Sequence, residues 1–269
     1  MNNINLTERR FNEDNASAEH ELIISSLMKE INAGKIKALN IIIPHPDDMI
    51  YGVAFFDDLL NRLEDDTDFT INVHVLTDGE AGRDITNPYY DSLTTVDEGK
   101  NAFTDMRKRE EYNAWSVLAD GRIPNEKIKI SFHGLPDSGL SYLDNLNELV
   151  AEITAADESS IGVTIDNSEE HQDHLATLLA VVANFQDKML LVLGTKPYQH
   201  QAMVASNQGH AEFFDNVVAE YRSQFYEDEE LPESITSLRV GSYYSLIGRA
   251  AMLWQKPNHT LPSIVSTVA

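Results

Sequence analysis

The chain contains no cysteine. Disulfides, thiolate metal sites and a cysteine nucleophile are therefore excluded, and any metal must be held by His, Asp or Glu. Positive charge is scarce: 20 Lys and Arg stand against 44 Asp and Glu in 269 residues, a formal charge of −24 with a pI near 4.5. A field of that sign repels phosphodiester backbones and anionic headgroups, so nucleic acid and membrane surfaces are poor partners. A neutral or cationic small molecule is the expected one. Long apolar runs are missing as well. The first 24 residues carry charge throughout and lack a signal-peptide core, and nothing later approaches the ~18 uninterrupted apolar residues of a membrane span. The expectation is a soluble, cytoplasmic protein.

What is present is the composition of a globular protein, 42% hydrophobic and 24% charged. From residue 38 onward, short Ile- and Val-rich runs alternate with longer amphipathic stretches, as strands do when they cross over through helices into a parallel sheet. The pattern predicts an α/β fold of the Rossmann-like kind, an open, mostly parallel sheet with helices on both faces. Strands are expected at 38–43, 71–77, 127–133, 161–166 and 188–194, with a further one at 235–245. Helices are expected at 17–33, closed by Gly34, and at 50–64, 101–120, 141–156, 174–186 and 210–226. Residues 1–36 read as an N-terminal helical arm and 37–269 as a single α/β domain, with no internal repeat or linker. Residues 83–100 follow neither period and read as a functional loop or lid.

The first chemical signal closes the first strand, where Ile43 is followed by Pro44-His45-Pro46-Asp47-Asp48. Ligands of open parallel sheets bind beyond the carboxyl ends of strands. Through a turn, His45 and Asp48 at i and i+3 can meet on one cation, and an imidazole with a carboxylate suits zinc. Asp47 would then face another side of the turn, free to serve as a base. The plainer alternative is that the aspartates cap the following helix. A second cluster, His171-Gln172-Asp173-His174, follows strand 161–166 and opens another helix. His45, Asp48 and one of the two later histidines make three protein ligands, the number found in catalytic zinc sites. The other histidine is left to bond the reacting group, with Asp173 placed to fix its tautomer.

Further along, Thr77-Asp78-Gly79-Glu80-Ala81-Gly82 follows the second strand, Arg107-x-x-Glu110 leads a helix, and Leu135-Pro136-Asp137-Ser138-Gly139 follows the third strand. Together with Gly52 and the two His/Asp clusters, these ordered motifs resemble the PIG-L/LmbE-like family of zinc-dependent deacetylases across about 40–186. The family removes acetyl groups from N-acetylated amino sugars and related conjugates. The resemblance implies that His45, Asp48 and His174 hold Zn2+, or another divalent metal. It further implies that Asp47 is the general base, that His171 stabilises the oxyanion and that Asp173 orients His171. By the same resemblance Arg107, with Arg109 as its rival, and Asp137 bind sugar hydroxyls. The implied partner is a small amino-sugar substrate, and a homo-oligomer is left open. The implied enzyme is a metal-dependent amide hydrolase; the alternatives are a metal- and sugar-binding protein without turnover and an amidase or esterase on a non-sugar substrate. Three departures stand out: Met49 in place of the family's glutamate, Gln172 in place of a proline, and no family landmark after residue 195.

Overall fold

A computed structural model describes residues 13–64, 67–82, 96–156, 159–165, 171–185, 189–193, 216–217, 219–221 and 251–254. The strands are β1 (Ala38–Ile43), β2 (Thr70–Thr77), β3 (Ile128–Leu135), β4 (Ser160–Ile165), β5 (Met189–Leu193) and β6 (Ala251–Trp254). They form one sheet in the order β3-β2-β1-β4-β5-β6, in which the first five are parallel and β6 is antiparallel to β5. The chain winds outward from β1 through β2 to β3, then returns to lay β4 on the other side of β1. This reversal opens a crevice at the carboxyl ends of β1 and β4, where open α/β sheets place their ligands.

The five parallel strands fall where the alternating pattern predicts them. β1 and β4 are buried along their whole length, which explains why both read as near-continuous apolar runs rather than as alternation. Among the described residues, five helices cover the sheet: α1 (Glu13–Asn32), α2 (Val53–Arg62), α3 (Val96–Ala119), α4 (Leu146–Ala155) and α5 (Gln172–Asn184). Leu39, Ile41, Ile43, Val73, Ile161 and Val163 face a core shared with Leu27, Phe56 and Trp115 from α1, α2 and α3. Ile42, Leu76 and Leu190 face the opposite side and meet Val150 of α4, Val181 of α5 and Phe185, which follows α5. Helices therefore lie on both faces, as predicted. On the second face Gly162 has no side chain for a packing reason: a Cβ there would sit 2.7 Å from the Phe185 ring.

Within the expected N-terminal arm, α1 packs onto the sheet: its Ile24, Leu27, Met28 and Ile31 belong to the main core and Arg62 Nη1 donates to Glu21 at 2.8 Å. Two sequence expectations change. The stretch 83–100 ends earlier than its composition suggests, since α3 already begins at Val96; residues 83–95 lie outside the described residues. The helix expected at 141–156 is split into a short 3-10 turn, Leu140–Tyr142, and α4. The strand expected at 235–245 and most of the helix expected at 210–226 also lie outside the described residues. Among the described residues, no helix is long and apolar enough to cross a membrane.

Candidate active site

The turn after β1 is the base of the site. Asp47 holds the position before a 3-10 helix, Asp48–Gly52, yet makes no capping hydrogen bond with its side chain. The capping alternative therefore fails for Asp47. Asp48 bends back instead: its Oδ2 accepts the His45 N–H at 2.8 Å and lies 3.2 Å from His45 Nδ1. Its other oxygen lies 3.3 Å from His174 Nε2, so one buried carboxylate joins the two His/Asp clusters across the crevice. Burial works to raise Asp48, but the His174 and His45 imidazoles outweigh it and hold the group far below the usual carboxylate range.

The second cluster begins α5. His171 is extended at the N-cap, and its Nδ1 accepts the Asp173 N–H at 3.3 Å. An accepting Nδ1 leaves the proton of a neutral ring on Nε2. His171 is exposed, whereas His174 is buried. His45, His171 and His174 offer ring nitrogens that all lie within 4.8 Å of one another. Burial, with the neighbouring imidazoles, pushes His171 below its ordinary value.

Asp173 takes a different part from the one expected of it. Its carboxylate does not address His171; Oδ2 accepts Ser138 N–H at 2.7 Å, Oδ1 accepts Leu140 N–H at 3.0 Å, and Oδ2 also lies 3.4 Å from His45 Nε2. Only its backbone amide reaches His171. The contact is long-range: from the second position of the helix, the Asp173 side chain meets the loop after β3. Asp137 comes to the same place from that loop, with Oδ1 3.3 Å from His45 Nε2 and Oδ2 accepting Ala81 N–H at 2.7 Å. Burial opposes the Asp137 carboxylate, but the His45 and Ala81 contacts bring it down to about 2.

Arg107, expected to reach toward sugar hydroxyls, is only 2% exposed. Its guanidinium donates to Asp47 Oδ1 and, at 2.6 Å, to the Gly79 carbonyl. Burial pushes Asp47 up, and Arg107 opposes that rise. Arg109 turns to its own helix and donates to the Asp105 carbonyl at 3.3 Å. Met49 is 1% exposed and belongs to the main core, not to the crevice. Gly79 stands in the motif after the second strand without an assigned role, and the Ser138 and Leu140 amides have no sequence signal; the Asp78-Gly79 pair directly after a strand is the signal of a turn.

A family model described as PIG-L: GlcNAc-PI de-N-acetylase matches residues 40–185, more than half of the chain. The chain belongs to the PIG-L family. No curated protein matches it. Among solved structures, it is similar to the N,N'-diacetylchitobiose deacetylase from Pyrococcus horikoshii, with 15% identity, a TM-score of 0.61, and coverage of 97% of this chain and 99% of that one. It is also similar to a conserved protein from Thermus thermophilus, with 16% identity, a TM-score of 0.51, and coverage of 83% and 97%. At such identities the likeness is one of fold.

The donor set of this PIG-L member fits a divalent cation. A neutral imidazole carries one ring proton, yet His45 faces Asp48 with Nδ1 and both Asp137 and Asp173 with Nε2. Carboxylates accept and do not donate, so the acceptors outnumber the protons. Burial drives His45 down, but those three carboxylates overcome it and raise the ring well above its ordinary value. The cluster calls for positive charge beyond what neutral rings carry, and its mixture of imidazole and carboxylate suits zinc-type ions.

Proposed function

We propose that this chain is a divalent-metal-dependent hydrolase, most simply a zinc enzyme, that removes the N-acetyl group from an amino sugar or sugar conjugate. The observation that carries the reading is Asp48 joining His45 to His174 across the crevice of a PIG-L fold. His45, Asp48 and His174 would hold the ion. When bound, it supplies Lewis-acid chemistry, acidifying water and polarising an acyl carbonyl. Asp47, released from helix capping and set beside these ligands, accepts the proton of the attacking water and returns it to the leaving amine. His171, exposed and protonated on Nε2, donates to the oxygen on which negative charge develops. Asp173 fixes that tautomer through its backbone amide and steadies His45 and the 138–140 loop through its carboxylate. Asp137 holds His45 and Ala81 from the other side. The acidic surface favours an uncharged substrate whose product leaves as a cationic amine.

The test is release of acetate from N-acetylglucosamine and N,N'-diacetylchitobiose by the purified chain, before and after chelation and zinc restoration. Activity that follows the zinc supports the reading. Fully metallated protein that turns over neither these sugars nor a wider panel of N-acetylated amines contradicts it, and leaves a protein that binds without catalysis.

A further inference from the structure

We infer that Arg107 and Gly79 form a positioning pair for Asp47: the buried guanidinium sets the direction of this carboxylate, and the missing side chain of Gly79 is what admits it. The inference rests on Asp47 acting as the base. Arg107 bridges two turns that belong to different strands. One Nη donates to Asp47 after β1, and the other donates to the Gly79 carbonyl after β2. The second turn is itself fastened to the first. Thr77 donates to the Pro44 carbonyl through its N–H at 2.9 Å and through Oγ1 at 2.8 Å, and Gly79 N–H donates to Thr77 Oγ1 at 3.2 Å. Behind the guanidinium stands the fully buried Phe103, its ring centre 5.8 Å from Arg107 Cζ. A side chain braced in this way has little freedom to follow a substrate.

Gly79 is the tightest point of this junction. Its φ is +65°, a region that glycine enters at little cost. A Cβ there would fall 2.2 Å from Arg107 Nη1, 2.5 Å from Cζ and 2.9 Å from Pro46 Cδ. The same methyl would therefore displace the arginine and push on the turn that carries Asp47. Because Asp47 makes no capping bond of its own, its orientation depends on Arg107.

A substrate-binding arginine and a positioning arginine fail differently. Loss of a contact made equally in ground and transition states raises KM, whereas misdirection of the base lowers kcat. With the zinc-loaded full chain and N,N'-diacetylchitobiose as probe, Arg107→Ala should lower kcat on the order of 100-fold, the scale of an ångström of misplacement. KM should stay within a few-fold and zinc stoichiometry unchanged, and Arg107→Lys should recover part of the loss. Gly79→Ala should reproduce the kcat loss, and the double variant should be no worse than Arg107→Ala alone, the non-additivity of two changes to one contact. A rise in KM with kcat preserved, or additive losses, overturns the inference. If Gly79→Ala does not fold, the kcat and KM of the two Arg107 variants decide. Should the wild type hydrolyse no probe, the functional reading fails on its own, and crystal structures still judge the pair: Asp47 must lose its wild-type rotamer in Arg107→Ala. An unmoved Asp47 carboxylate refutes the positioning role whatever the activity.

Discussion

Two groups of histidines stand out among the described residues, and their surroundings drive His45 of the first and His74 of the second in opposite directions. His45, His171 and His174 gather beyond the carboxyl ends of β1 and β4, among Asp48, Asp137 and Asp173. His74 and His133 meet within β2 and β3, with Nδ1 of one 3.2 Å from Nε2 of the other and rings nearly parallel. Burial works against the charged ring in both places. At His45 the carboxylates reverse its effect; at His74 nothing does, and burial together with His133 takes the ring down to about 4. One proton between the two nitrogens satisfies the second pair, whereas His45 of the first group faces more carboxylate acceptors than a neutral ring has protons. A histidine cluster is thus read as a site from its acidic company and its place at a strand end, not from the number of rings.

That contrast breaks most decisively by mutation at the two places. Asp47→Asn should lower hydrolysis by about 10²–10⁴-fold, the usual contribution of a general base, with zinc still bound. His133→Ala should leave turnover within a few-fold, measured on the same N-acetylated probes. Equal losses would erase the distinction between the groups.

The next effect is on stability. Asp48 and Asp173 are tolerated in the interior because imidazoles and amides meet them, but the pocket around Met49 is apolar core. Met49→Glu should therefore cost roughly 3–5 kcal/mol, the range for an uncompensated buried charge, read as a lowered denaturation midpoint. A variant as stable as the wild type would mean that polar partners reach this position.

Glu111 offers a smaller, pH-dependent test. It is fully buried on α3 and accepts hydrogen bonds from Trp115 Nε1 at 2.9 Å and Tyr221 Oη at 2.7 Å. Burial nevertheless raises it to about 8 from 4.5. The folded state therefore holds a proton that the unfolded state has lost, and stability should fall as pH climbs from 4.5 to 8, by at most about 1.4 kcal/mol per pH unit. Glu111→Gln should remove that slope in denaturation measured across the range.

His74 should show the smallest effect and the opposite sign. Its folded value is depressed from 6.5 to about 4, so the unfolded chain binds the extra proton and stability should fall as pH drops through that window. His74→Asn should flatten the acid side of the profile. An unchanged acid slope would show that the pair is not held neutral.

Much of this was legible in the residues. Five strands and both His/Asp clusters follow from apolar runs ended by polar turns, because a buried parallel strand must be apolar and its carboxyl end is where polar side chains can gather. The contacts that cross elements were not. Nothing local tells that the Asp173 carboxylate turns to Ser138 and Leu140 rather than to His171, because that choice depends on where the loop after β3 arrives. Arg107 is similar: its spacing places it on α3, but only the approach of α3 to Gly79 decides that the guanidinium points at Asp47. Met49 looks like a lost site residue in the sequence and is a core residue in the fold. The start of α3 at Val96 was hidden by polar residues that mask helical periodicity.

On the proposed reading, one divalent ion belongs to the His45, Asp48 and His174 group. Zinc stoichiometry after dialysis, measured by elemental analysis on the wild type, Asp48→Asn, His174→Ala and the double variant His74→Ala/His133→Ala, tests it most directly. One ion per chain is predicted in the wild type and in the β2–β3 double variant, and loss of the ion in Asp48→Asn and His174→Ala. An ion that disappears with His74 and His133, or a wild type that retains none, would contradict it.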